Sequence, residues 1–193
     1  YINFNASGIC DGCIQAEVKN NKIKWKDREK ELLKLLKKFR KTDGTYDCLV
    51  PGSGGKDSVY AAHLLKYKYN MNPLTITWPP ILYTDYGKKN FDNWLSLGGF
   101  DNITFKPNPK VQKLLTKLSI EKLLHPFQTF ILGQKNLAPK IARQYNIDLV
   151  FFGENEAEYG NPVTDNLNSL RDKSYYTYDN IKEIYLAGTK VSD

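Results

Sequence analysis

Residues 51–58 read PGSGGKDS and follow directly on the apolar run YDCLV. A strand that stops at Pro51 and a helix that starts near Asp57 would leave Gly52, Gly54 and Gly55 in the turn. Glycine there lets backbone N–H groups approach a ligand closely, and the helix end behind it favours an anion. Ser53 and Ser58 add hydroxyl donors and Lys56 a compact cation, so the stretch has the chemistry of a phosphate cradle. The two common nucleotide loops are excluded by position. A Walker A loop needs Gly where this chain has Val50 and a hydroxyl where it has Asp57, and a Rossmann fingerprint begun at Gly52 would place its last glycine at Asp57.

A second chemical signal is Cys10-x-x-Cys13 in ASGICDGC, the spacing of one half of a zinc knuckle. Tetrahedral zinc needs four ligands, and the two histidines, His63 and His125, stand far along the chain outside any knuckle context. The competing readings are a redox dithiol or two unrelated thiols. The missing ligands, the absence of an initiator Met and the close at KVSD together read as a piece of a longer protein. Cys48, inside the apolar run before the loop, reads as a small core residue.

The elements that would carry these residues alternate. DREKELLKLLKKFR, residues 27–40, sets Leu32, Leu35, Leu36 and Phe39 on one helical face. YDCLVP reads as a short buried strand and SVYAAHLLKYKY as the helix opened by the loop. LTITW, ended by Pro79 and Pro80, is a second strand, and residues 89–99 form a short helix. NITFKPN gives a third strand, residues 109–124 a helix with Pro109 in its first turn, LAPKIARQYN another helix, and DLVFFG a fourth strand. The expected fold is therefore α/β: a Rossmann-like parallel sheet with helices on both faces, preceded by the partial knuckle. The expected organisation is a knuckle over 1–25, a linking helix over 26–43, the main domain over 44–160, and over 161–193 the start of a truncated substrate or oligomerisation region.

The chain has 193 residues, 41% of them hydrophobic, and a formal charge of +7 from 28 Lys and Arg against 21 Asp and Glu. Residues 24–41 hold much of the excess, and a solvated helix face accounts for it better than nucleic acid does. No apolar run has membrane-span length and no signal segment opens the sequence, so a cytoplasmic protein without a membrane partner is expected.

SGGKDS resembles the PP-loop of the ATP pyrophosphatases, which cleave ATP between the α and β phosphates. Gly54 and Gly55 would then offer N–H donors to the phosphates that leave as pyrophosphate. Asp57 has two open roles, capping the helix or helping to hold the magnesium that travels with ATP. Further blocks, WPPILYTDYGKKNFDNW, NPKVQKLLTKL, HPFQTFILGQKN and LVFFGENEAEYGN, are similar to the N-acetyl sugar amidotransferases of bacterial surface-glycan pathways. With the Cys pair and the loop, the similarity spans nearly residues 8–162.

That resemblance implies an enzyme that uses ATP to adenylate the N-acetyl oxygen of a free or nucleotide-linked sugar, releasing pyrophosphate. Ammonia then displaces AMP to give an acetamidino sugar. It implies glutamine-derived ammonia from a separate glutaminase subunit, a structural zinc in the full-length protein, and leaves a homodimer open. Pro51, Gly52, Thr77, Trp78 and Gly153 would border the nucleotide, with a core position the competing reading for Trp78, and Lys56, Asp57 and Glu154 would serve catalysis. Glu154, Glu156 and Glu158 could hold magnesium, orient the amide or take a proton from ammonia, against a solvated acidic loop. Tyr83, Asp85, Lys88, Lys89 and Asn90, with Gln134, Lys135 and Asn136 at an expected helix start, are candidate substrate contacts. The alternatives are a tRNA-modifying PP-loop enzyme and a nucleotide-binding protein without catalysis.

Overall fold

The computed structural model describes residues 2–154 and 185–190. They divide into two compact units, one running through Arg40 and including Glu154, the other holding Lys41–Gly153 and residues 185–190.

In the larger unit, β1 (Cys48–Pro51), β2 (Pro73–Thr77) and β3 (Asn102–Thr104) form a parallel sheet in the order β1-β2-β3. Register pairs Leu49 with Leu74 and Thr75 with Asn102. All five residues of β2 are buried, as a central strand covered on both faces requires. Alternation along it sends Leu74 and Ile76 into the core cluster with Leu49, Leu137, Ala138, Ala142 and Ile147, and turns Thr75 and Thr77 to the opposite face. The expected fourth strand is reduced to one parallel pairing on the free edge of β1. The Leu49 N–H donates to the Leu149 carbonyl at 2.9 Å and the Phe151 N–H to the Leu49 carbonyl at 2.8 Å. The chain thus builds outward from β1 through β2 to β3, then returns to the other side of β1.

The connecting helices are α3 (Lys56–His63), continued by a wider π turn over Leu64–Lys68, then α4 (Asp85–Ser96), α5 (Pro109–Leu123) and α6 (Gln128–Gln144). Two of these differ from the sequence reading. Helix α4 begins four residues early because the Thr84 hydroxyl caps it, accepting the Gly87 N–H at 3.0 Å. Helix α6 starts at Gln128 rather than after Asn136, running through both Gly133 and Pro139. Gly133 is required there: a Cβ would lie 2.3 Å from the Trp78 ring, so its absence lets the helix seat against that indole. A short hairpin, β4 (Tyr185–Leu186) and β5 (Thr189–Lys190), turns through Ala187 and Gly188 at positive φ.

The smaller unit carries α1 (Asp11–Glu17), a π turn over Val18–Lys22, and α2 (Trp25–Phe39). Leu36 is the buried residue of α2, while its lysines are exposed and two i,i+3 ion pairs, Arg28 with Glu31 and Lys30 with Asp27, lie on its surface. The basic run is therefore a solvated helix face, at least within this unit. No helix among the described residues is long and apolar enough to cross a membrane.

Candidate functional site

The glycine loop leaves β1 at its carboxyl end and enters α3 at Lys56. Its three glycines answer to different demands. Gly52 is fixed by β2: its N–H donates to the Ile76 carbonyl at 2.9 Å, and a Cβ on it would meet the Ser58 hydroxyl and the Trp94 ring, each at 2.7 Å. Gly54 has φ +91, and a Cβ there would strike the Phe91 backbone at 2.8 Å. Gly55, the N-cap of α3, has neither reason. Its φ of −72 suits any residue, and a Cβ would find nothing within 4 Å.

Two walls flank this turn. Helix α4 lies against it through Phe91 and Trp94, which bring Tyr83 with them: the Tyr83 and Phe91 rings are 5.9 Å apart. From the other side comes Gly153, just beyond the segment paired to β1. A Cβ on it would sit 2.6 Å from the Ser58 nitrogen and 2.8 Å from the Asp57 carbonyl carbon, so this backbone touches the first turn of α3. The arrangement is a topological switch point. The chain leaves β1 toward β2 on one side and comes back from β3 to pair with its other edge, and open α/β sheets bind ligands beyond the carboxyl ends of the strands at such a reversal.

At this turn the N-cap of α3 is Gly55, which brings no capping side chain to the positive end of the helix dipole. The Lys56 ammonium lies 2.7 Å from an Asp57 carboxylate oxygen, with the two side chains 88% and 64% exposed, so both charges stand in solvent at the loop. Asp57 sits in the first helical turn and is not the N-cap, a place that Gly55 holds. Ser58 donates its hydroxyl to the Gly55 carbonyl at 3.0 Å. The set of donors, one cation and one carboxylate matches what a polyphosphate with its magnesium would need.

The structure gathers Pro51, Gly52, Ser53, Gly54, Gly55, Lys56, Asp57, Ser58 and Gly153 around this turn. Thr77 supports it from below. It is fully buried, and its hydroxyl donates to the Gly52 carbonyl at 2.8 Å, so it holds the loop in place. Trp78 is stacked on Phe105 at 5.3 Å, backed by Gly133, and lines a cleft of about 580 Å³ with Pro79, Pro107, Gln112 and Phe130. Asp85, Lys88, Lys89 and Asn90 lie exposed on the first two turns of α4, with Lys88 paired to Asp92. Burial, and then the Asp92 charge, raise the Tyr83 hydroxyl above its ordinary value.

Gln134, Lys135 and Asn136 fall inside α6, not at a helix start, and the Asn136 amide donates back to the Leu132 carbonyl at 2.8 Å. Glu154 is exposed and belongs to the other compact unit. Glu156 and Glu158 lie outside the described residues. Sequence reasoning passed over Asn102, whose amide nitrogen is 3.0 Å from both the Thr75 and the Thr77 hydroxyls. The only signal available was an asparagine opening a strand.

In the smaller unit, a tight turn over residues 3–11 delivers the Cys pair: Asn5 accepts the Ser7 and Ile9 N–H groups on its side-chain oxygen, and the Asp11 N–H donates to the Asn3 carbonyl. The Cys13 N–H lies 3.4 Å from the Cys10 sulfur and lowers that thiol below its ordinary value, while the contact with Cys10 raises Cys13. Two adjacent sulfurs, one receiving a backbone N–H, fit half of a tetrahedral zinc site. Among the described residues no third His, Cys, Asp or Glu joins them. Cys48 differs throughout: it is fully buried, and that burial pushes its thiol up to about 12.

No protein-family model matches the chain. A protein of Methanocaldococcus jannaschii described as uncharacterized, MJ1599, is 36% identical over 75 residues, which is 39% of this chain and 26% of that protein. The matched segment thus spans about a quarter of the relative's length.

Proposed function

We propose that this chain is an ATP-dependent amidotransferase of the PP-loop type acting on an N-acetyl sugar. One observation carries the reading: Gly55 opens α3 at the sheet's switch point without a capping side chain, and neither its φ nor its packing gives a steric reason for glycine there. A ligand that must come within van der Waals distance of the backbone supplies that reason, and a phosphate suits the helix end, Lys56 and the neighbouring hydroxyls.

On this reading the loop binds the β and γ phosphates and Lys56 neutralises charge as the α–β bond breaks. The amide oxygen of the acceptor attacks the α phosphorus and pyrophosphate departs. The acceptor nitrogen gives up its proton, leaving an O-adenylated imidate. Ammonia adds at the imidate carbon, the carbon–oxygen bond breaks, and AMP leaves with that oxygen. Asp57 is assigned to the magnesium that accompanies ATP, and the proton that ammonia sheds passes to solvent. Zinc, if the Cys pair receives two more ligands, would brace the smaller unit and take no part in the reaction.

The test is product analysis. Purified protein, ammonium chloride, magnesium ATP and an N-acetylated sugar, free or nucleotide-linked, should yield AMP and pyrophosphate in equal amounts, with release dependent on both acceptor and ammonia. Release of ADP and phosphate would overturn the proposal. Salt-sensitive binding of tRNA with AMP release on that substrate would instead establish the tRNA-modifying alternative.

A further inference from the structure

We infer that Asn102 is a positioning residue for the glycine loop, acting through Thr77. The inference rests on the loop's being the nucleotide site proposed above, and it names what holds that site in shape.

The network runs from β3 across β2 to the glycine loop and accounts for each polar atom of Asn102, Thr75 and Thr77. The Thr104 hydroxyl donates to the Asn102 side-chain oxygen at 2.7 Å, which orients the amide. Both amide hydrogens are then spent, one on the Thr75 hydroxyl and one on the Thr77 hydroxyl, each at 3.0 Å. Because each threonine oxygen receives a hydrogen bond, its own proton is directed elsewhere. Thr75 donates to the Asp101 carbonyl at 2.6 Å, and Thr77 donates to the Gly52 carbonyl at 2.8 Å. Asn102 thereby sets the polarity of the bond that Thr77 makes to the loop. Gly52 is consequently held at both backbone groups, its N–H by the Ile76 carbonyl and its C=O by Thr77. The N–H groups that would meet phosphate follow directly from this anchored residue.

The network branches symmetrically, which provides an internal control. Thr75 and Thr77 are both fully buried and both take one amide hydrogen from Asn102, yet only Thr77 touches the loop. Removing either hydroxyl leaves a comparable buried defect. Only one of the two should disturb nucleotide binding.

Asn102→Asp keeps the shape and replaces two donors by acceptors. The Thr77 proton would turn toward the new carboxylate and leave the Gly52 carbonyl without its donor. Magnesium ATP affinity of the full chain, measured by calorimetry, should fall about tenfold in Asn102→Asp and Thr77→Val, the scale of one buried hydrogen bond. Thr77→Ser should restore it. Thr75→Val should melt lower than the wild type yet bind ATP within about twofold of it, since its lost bond lies away from the loop. The double variant Thr77→Val/Asn102→Asp should bind no more weakly than the worse single variant, because the two act in series.

Amide hydrogen exchange of residues 53–55 without nucleotide gives a readout that does not depend on ATP binding at all. Exchange there should quicken in Thr77→Val and Asn102→Asp and stay unchanged in Thr75→Val. Equal loss of ATP affinity in Thr75→Val and Thr77→Val, or unaltered loop exchange in Asn102→Asp, would overturn the inference. A wild-type protein that binds no ATP but shows the predicted exchange pattern would overturn the functional reading and leave this one standing.

Discussion

Gly55→Ala separates the demands of the fold from the demands of a ligand. The substitution meets no steric obstacle, since φ is −72 and no atom lies within 4 Å of the new Cβ. Two effects on stability nearly cancel. Losing unfolded-state freedom stabilises by about 0.4–1 kcal/mol, while alanine as an N-cap is poorer than glycine by about 0.5–1 kcal/mol. The melting temperature without ligand should therefore move by less than about 2 °C for a chain of this size.

Binding should respond differently, because the methyl enters the space assigned to phosphate. Overpacking a fitted site costs about 1–3 kcal/mol, so affinity should fall about tenfold or more. At an ATP concentration 100 times the wild-type dissociation constant, the ligand stabilises the wild type by about 2.7 kcal/mol and a tenfold weaker variant by about 1.4 kcal/mol. The difference corresponds to a deficit of about 3 to 5 °C in the ATP-induced shift. Thermal melts of both proteins, with and without magnesium ATP, measure it directly. A Gly55→Ala protein with the wild-type melt and the full ATP-induced shift would refute the placement of phosphate at this turn.

Gly153→Ala makes the opposite case: its Cβ must displace backbone at Ser58 and Asp57, so it should lose about 1–3 kcal/mol of stability in denaturant melts as well as AMP release. Lys56→Ala, at a side chain 88% exposed, should leave the unfolding free energy within about 0.5 kcal/mol of wild type and lower AMP release steeply in a pyrophosphate-coupled assay. With an aromatic disulfide reagent at pH 8 the metal-free native protein should titrate Cys10 and Cys13 but spare Cys48, which reacts only on unfolding. The raised Cys48 thiol also fixes a sign. The native state keeps a proton that the unfolded chain loses above its ordinary thiol value of about 8.5, so this contribution is complete below that pH and is lost as pH rises toward about 12. Denaturant midpoints should fall across that window, and Cys48→Ala should flatten the fall.

The sheet was legible because its strands advertise themselves. CLVP and PLTIT are short, apolar or β-branched, and bounded by turn residues, and the glycines between the first strand and its helix could serve only a turn. The start of α6 was misjudged for a reason that local sequence does not carry. Residues 125–136 read as a loop, yet Gly133 is glycine because an indole occupies the place of its Cβ, and Pro139, already expected inside a helix, is tolerated within the longer packed one. Both facts are tertiary. Asn102 stayed invisible because its meaning lies in two threonines on the neighbouring strand, whose alternation with Leu74 and Ile76 marked them only as strand residues facing away from the core cluster.

The contact between Gly153 and the first turn of α3 also bears on how the protein is made. The glycine loop and its helix are local structure, available early from one stretch of chain, whereas Gly153, which packs against them, lies far along the chain in the same unit. Joining them requires closing the chain from the loop onto residue 153, the slow kind of step that non-local parallel pairing imposes. A nascent chain would therefore display the loop well before it possessed the site. Nucleotide affinity should appear only when residues 149–153 dock, which makes ligand binding a timer for the end of folding.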